Sequence, residues 1–346
     1  MNSDEILSVV ADIGNLYTRV GFTGDDFPRW STFTKCTETF QFGDEALGVG
    51  NTQQILDILQ PFNSDLYEQL LSKIYEKLYV QPKDYSLLLA NNFQSKQDLQ
   101  KVIEILFESM EIPNFFTIRN AVLATFSAGR STALILDIGA YSTTASAVHD
   151  GYTLLKTQLQ APIGGEQLNE PFKQYIVGEY NQFKKTCQAR DIKQSLLTYE
   201  TIDTNPQYEL PDGKFISIQQ SQLLEIADKL FYNNENFKGI QHMLMDIINN
   251  STNDIKQLLS STVISTGGSS NIPGFLNKLQ TTLSALAPPM CKVKLVMYPT
   301  NQNRYHSVFI GGSILASLSS FQSLWVAKSE YYESGKFSII ERKCPN

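Results

Sequence analysis

Histidine is scarce in this chain. His149, His242 and His306 are the only three in 346 residues, and none stands at metal-ligand spacing. The four cysteines, Cys36, Cys187, Cys291 and Cys344, are scattered and never form C-x-x-C. Those two scarcities argue against a protein-only transition-metal site and a disulfide frame, and the cysteines read as reduced intracellular thiols. Positive charge is also short, with 28 Lys and Arg against 35 Asp and Glu, a formal charge of -7. A self-sufficient nucleic-acid binder would need a clustered basic surface, so no direct sequence-specific nucleic-acid contact is expected. The first ten residues, MNSDEILSVV, lack a basic region, and no signal peptide is expected. One uncharged run, 308–327, reaches membrane length, but it carries five serines and a glutamine. Ile314, Leu315, Leu318, Phe321 and Leu324 fall on one helical stripe within it, which predicts an amphipathic helix docked on protein and no membrane span.

What is present is an ordinary soluble composition, 42% apolar and 18% charged, on a chain long enough for two cores. Periodicity predicts strands at 7–13, 18–23, 86–89, 133–137, 143–148, 153–158 and 262–265. It predicts helices at 52–58, 65–78, 95–110, 120–127, 166–178, 184–197, 221–231, 237–249, 254–261 and 273–286. Strands in hairpins followed by helix-rich segments favour an α/β fold with mixed sheets. The segment YELPDGKFISI, with Pro-Asp-Gly between alternating strands, predicts a further hairpin at 208–218.

One motif occurs twice. VVADIGNLYTRVGF (9–22) and LILDIGAYSTTASAVHDGY (134–152) each run strand, Asp-Ile-Gly turn, strand. A D-x-G turn turns backbone N–H groups into a concavity, because glycine brings no Cβ. Two such turns suit a polyphosphate, with Asp12 and Asp137 facing a Mg²⁺ ion through its waters. A third glycine turn, STGGSSNIPG (265–274), follows a strand and opens a helix. A bare D-x-G is most often a plain turn, so the order of the three carries the argument.

That order resembles the superfamily of actin, heat-shock chaperones and sugar kinases, and within it the chain looks like actin. GFTGDDFPRW, ARDIKQSLLTY, YELPDGKFISI, STGGSSNIPGFLNKLQTTLSALAPP and FIGGSILASLSSFQSLWVAKSEYYESGKFSIIERKCPN carry the likeness, over nearly the whole chain. AVLATFSAGRSTALILDIGAYSTTASAVHDGY and the terminal ERKCP resemble the nuclear actin-related protein four subfamily, whose usual insertions are missing here. The resemblance implies an actin-like two-lobed fold of duplicated ribonuclease-H-like domains. The small lobe is expected at 1–127 with 307–346 returning to it, the large lobe at 128–306, and the nucleotide cleft between them. Outer subdomain 2 is expected to be reduced, since 30–43 is too short for actin's DNase-binding loop, and the loop at 233–239 is shorter than actin's hydrophobic plug.

The resemblance also assigns sites. Asp12, Gly14, Asn15, Arg19, Asp137, Gly139, Lys193, Gly267 and Gly268 are the candidate contacts to ATP with Mg²⁺, the metal held through water by Asp12 and Asp137. Several positions depart from actin. Asn15 and Leu16 stand for a serine and a glycine, Arg19 for the phosphate lysine, and Asn120 for the glutamine that positions attacking water. Ala140 and Tyr141 stand for an aspartate and a glycine, Gln194 for a glutamate and Tyr305 for a lysine near the adenine. Asparagine is one methylene shorter than glutamine, and a displacement of about 1 Å costs on the order of 10²-fold, so no catalytic residue is assigned and significant hydrolysis is not expected. Tyr141 either packs outward or crowds the phosphates and leaves the cleft empty.

Phe126, Ile314 and Leu318 resemble part of actin's groove for an amphipathic partner helix, with Leu315 in the core. The function implied is a non-polymerising structural subunit of a nuclear chromatin-remodelling or histone-acetyltransferase complex, pairing with actin or another actin-related protein and a scaffold helix. A cytoplasmic or axonemal actin-related protein attached to a dynein or dynactin assembly is the alternative. A small-molecule kinase or ATPase of the superfamily is a third reading, against which Asn120 and Ala140 speak.

Overall fold

The computed structural model describes residues 6–48, 54–93, 95–176, 182–201, 205–210, 213–232, 237–289 and 291–344. The chain divides into two compact units. Unit one comprises Met1–Ser131, Asp150–Thr153 and His306–Asn346, and unit two comprises Thr132–His149 and Leu154–Tyr305.

Unit one is built on a six-stranded mixed sheet, in the order Val326–Ala327, Asn114–Arg119, Ser86–Asn91, Ser8–Ile13, Tyr17–Phe22, Trp30–Phe33. Ser8–Ile13 and Ser86–Asn91 are buried along their whole lengths, as strands covered on both faces must be. The hairpin Ser8–Ile13 with Tyr17–Phe22 is antiparallel, and Ser8–Ile13 then pairs parallel with Ser86–Asn91, itself parallel to Asn114–Arg119. Helix Ser64–Lys77 starts where the Asn63 side chain accepts from the amides of Asp65 and Leu66, and it turns Leu66, Tyr67, Leu70, Leu71, Ile74 and Tyr75 inward at helical spacing.

Unit two repeats the plan. Thr143–His149 and Ala133–Ile138 form the antiparallel hairpin, and Ala133–Ile138 pairs parallel with Val263–Thr266, itself parallel to Leu295–Val296. Leu159–Ala161 adds antiparallel to Thr143–His149, as Trp30–Phe33 adds to Tyr17–Phe22 in unit one. Its core gathers Leu134, Leu136 and Ile138 from the sheet with Leu168, Phe172, Leu244, Ile248 and Phe275 from the helices.

Several expectations change. The region 52–58 is not helical where it is described: Ile55–Asp57 is a strand paired with Lys35–Thr37. The strand expected at 153–158 is a 3-10 turn, Leu155–Thr157, where Thr157 Oγ1 donates to Leu154 O at 2.7 Å and accepts from Ala147 N at 3.1 Å. Between 30 and 43 the chain makes two short strands and a tight turn with Phe40 at φ 57°, in keeping with a reduced outer subdomain. Residues 233–236 of the plug-like loop, and Pro211 and Asp212 of the Pro-Asp-Gly turn, lie outside the described residues. The strands flanking that turn, Gln207–Glu209 and Phe215–Ser217, pair as expected.

The run 308–327 is not one amphipathic helix. Helix Ser307–Ser317 ends there, a 3-10 turn covers Ser319–Leu324, and Val326–Ala327 joins the unit-one sheet. Val308, Phe309, Gly311, Gly312, Ser313, Leu315 and Ala316 are all buried. Of the five serines in the run only Ser313 is buried, where its Oγ donates to Asp25 O at 2.8 Å and accepts from Gly24 N at 2.9 Å, while Ser317, Ser319, Ser320 and Ser323 are exposed. Among the described residues no helix is long and apolar enough to cross a membrane.

Candidate functional site

The first Asp-Ile-Gly turn is closed by Gly14 N donating to Tyr17 O at 2.9 Å, and the second by Gly139 N donating to Ser142 O at 3.0 Å. A Cβ would stand 3.1 Å from Tyr17 O at Gly14 and 3.0 Å from Ser142 O at Gly139, so glycine keeps both turns tight. The two turns share the same closing bond, from the glycine amide to the carbonyl three residues on. Among the described residues the amide N–H groups of Asn15, Leu16 and Ala140 have no acceptor. Such paired turn donors make an anion nest.

In unit one the hairpin register sets Asp12 opposite Arg19. Arg19 Nη1 donates to Asp12 Oδ2 at 3.0 Å, with the two side chains only 12% and 7% exposed. The guanidinium also lies over the Tyr17 ring, 5.7 Å from its centroid. Burial raises the Asp12 carboxyl, and Arg19 works against that rise. His306, in the same unit, is pushed down to about 4 by burial, with the Arg19 charge adding to it. Asn92 Nδ2 anchors the base of the turn by donating to Ile13 O at 3.0 Å.

In unit two the second hairpin meets the other glycine turns. Gly165 N donates to Gly139 O at 2.9 Å and Glu166 N to Ala140 O at 2.8 Å, so the loop's carbonyls are engaged from behind. A Cβ at Gly164 would stand 2.6 Å from Ala140 O. Gly267, at φ 88°, lies against Ile138 O and Asp137 Oδ1, and a Cβ there would overlap both. Gly268 borders the Tyr305 ring, whose Cε2 would be 3.6 Å from a Cβ. Lys193 Nζ donates to Gly165 O at 3.0 Å. Burial pulls this lysine down to about 8, against the attraction of Glu166. Tyr141 is pushed up to about 12 by burial, with Glu166 adding to the rise, and its carbonyl accepts from Gln167 Nε2 at 3.5 Å.

The structure therefore brings Asp137, Gly139, Lys193, Gly267 and Gly268 together in unit two, and Asp12, Gly14, Asn15 and Arg19 together in unit one. Sequence reasoning missed Gly164, Gly165 and Glu166. The Gly-Gly pair in APIGGEQL, after a strand and before a helix, is the signal that could have found them. It also missed Arg304, buried in unit two, whose Nη1 donates to Ser270 O at 3.0 Å and Asn271 Oδ1 at 3.2 Å.

The expected partner-groove residues are all in unit one. Ile314 and Leu318 are 42% and 43% exposed, and Leu315 is buried. The Phe126 ring covers Gly151, whose Cβ would stand 3.4 Å from Phe126 Cζ. Helices Asn120–Ser127 and Ser307–Ser317 pack so closely that a Cβ at Gly311 would overlap the Leu123 carbonyl.

Two units with one repeated sheet order, each bearing a closed D-x-G turn, define a class. The family model described as Actin matches residues 3–195 and 178–345, and the chain belongs to the actin family. Within that family it is similar to actin-related protein 4 of Arabidopsis thaliana, at 28% identity over 99% of both chains. It is equally similar to actin-related protein 4 of Oryza sativa subsp. indica and subsp. japonica, each at 28% identity over 99% of both chains. These alignments run to 442 positions against 346 residues here, so the relatives carry insertions that this chain lacks.

Proposed function

We propose that this chain is a non-polymerising structural subunit of a nuclear chromatin-remodelling or histone-acetyltransferase complex, holding ATP without significant turnover. In each unit the turn offers backbone donors that suit a phosphate oxygen, Asn15 and Leu16 in unit one and Ala140 in unit two, and the turn glycines Gly14 and Gly139 keep each turn closed. Arg19, Asp137, Lys193, Gly267 and Gly268 would complete the contacts. Bound nucleotide would stabilise the folded chain by linkage.

The observation that carries the non-enzymatic part is the state of the reacting positions. Alanine at 140 offers no acceptor, and Asn120 Oδ1 is buried with no hydrogen-bond partner among the described residues. Phosphoryl transfer leaves a protein little to do except position and stabilise charge, and both positions lack the side chain for it. Actin or another actin-related protein is the proposed neighbour. An amphipathic scaffold helix is the proposed occupant of the surface with Phe126, Ile314 and Leu318, because exposed apolar side chains beside a tightly packed helix pair suit helix-in-groove recognition. The names of the relatives support an actin-related identity, and the nuclear assignment extends it.

Affinity purification of the tagged chain followed by mass spectrometry tests this reading. Recovery of actin with remodeller or acetyltransferase subunits is the expected result. Recovery of dynein or dynactin chains without them would replace it with a cytoskeletal role.

A further inference from the structure

In unit two the ε-ammonium of Lys278 stands among aromatic rings. Its Nζ lies 4.9 Å from the Tyr199 ring centroid and 5.4 Å from that of Phe231. Those two rings meet at 90° with centroids 6.0 Å apart. Phe275, fully buried, packs against both, at 5.8 Å from Phe231 and 6.3 Å from Tyr199. Asp228 completes the surroundings, its carboxylate accepting from Lys278 Nζ. A lysine on a helix ordinarily keeps its strongly hydrated ammonium in water, and an ion pair with Asp228 needs no rings. Aromatic faces around a cation, with a carboxylate beside them, are the surroundings that hold alkylated ammonium groups.

The rings are fixed without Lys278. Tyr199 Oη donates to Ala227 O at 2.6 Å and Tyr199 N to Pro273 O at 2.8 Å, while Phe231 N donates to Asp228 O at 2.8 Å. Tyr199 and Phe231 are half-buried, and the Lys278 and Asp228 side chains are 33% and 25% exposed, so the cage opens to solvent. Lys278 reaches it from helix Phe275–Leu286 on a flexible stem that can swing outward. Methyl groups on an ammonium lower its hydration and add contact with the rings, which favours a methylated lysine over Lys278 itself. The carboxylate needs an N–H to accept, which a dimethylammonium keeps and a trimethylammonium lacks.

We propose that Tyr199, Phe231, Phe275 and Asp228 form a recognition site for a dimethylated lysine side chain of a partner protein, which Lys278 fills in the free chain. The proposal is independent of nucleotide binding.

The test is ligand-observed NMR titration of N-acetyl-dimethyl-lysine amide, its unmethylated counterpart and choline into the full chain and into Lys278→Ala. Alanine suits that helical position, and Lys278→Gln, which keeps part of the stem, repeats the measurement. Self-occupancy raises the apparent Kd, so either substitution is expected to tighten dimethyl-lysine binding about tenfold. Both emptied variants are expected to bind unmethylated lysine and choline at least about fivefold more weakly than dimethyl-lysine. Equal affinity in the wild type and both variants, no binding by either variant, or indifference to methylation overturns the proposal. Tightest binding of choline overturns it too, and assigns the cage to a trimethylammonium headgroup.

Discussion

His306 is a residue whose environment decides its chemistry. It precedes helix Ser307–Ser317, meets Phe27 edge-on at 6.0 Å and is held at about 4 against an ordinary 6.5. Between those values the unfolded chain binds the proton and the folded chain does not, so stability falls as pH falls from 6.5 toward 4. His306→Gln should flatten that part of the profile by on the order of 2 kcal/mol, allowing for the ring's partial exposure, as read by urea midpoints at both ends of the window. Nothing in NQNRYHSVF announces this. Burial of His306, like that of Arg304 two residues earlier, comes from how distant segments meet, which composition and spacing do not encode. The turn residues behave differently. Asp12, Gly14, Asp137 and Gly139 were legible because a backbone that must bend tightly at one point restricts the residue there to glycine.

Elements were legible where one face alternates or a run is long. The two hairpins, Ser64–Lys77 and Phe275–Leu286 follow directly from such patterns. Asn114–Arg119 went unread because NFFTIR is a short apolar run between two helices, and a strand buried in a parallel sheet lacks alternation. The 308–327 segment misled for a related reason. Its serines look solvent-facing, but Ser313 is buried and bonded to backbone, and Gly311 and Gly312 let the helix press against its neighbours. This makes a specific prediction about the helix pair. Gly311→Ala puts a methyl into the Leu123 carbonyl, a backbone atom that cannot swing aside, and should lower unfolding free energy by about 2 kcal/mol or more. Gly48→Ala, where a Cβ meets nothing within 4 Å, is the control and should leave thermal stability nearly unchanged.

For the whole molecule, duplication is the organising fact. Each unit runs an antiparallel third strand, a D-x-G hairpin and two parallel strands in the same order, although the helices between them differ in number and length. The sequence shows this only as two echoes of Asp-Ile-Gly, because a shared strand order constrains which faces are buried and leaves residue identity loose. Under the proposed function the closed turns would hold phosphate, and Asn120 and Ala140 would not support its turnover. Holding ATP intact is therefore the central claim. The direct measurement is to load the purified chain with ATP, incubate it, denature it and separate the released nucleotides by chromatography. The account predicts that ATP comes back unchanged after many hours; steady accumulation of ADP with free phosphate would contradict it.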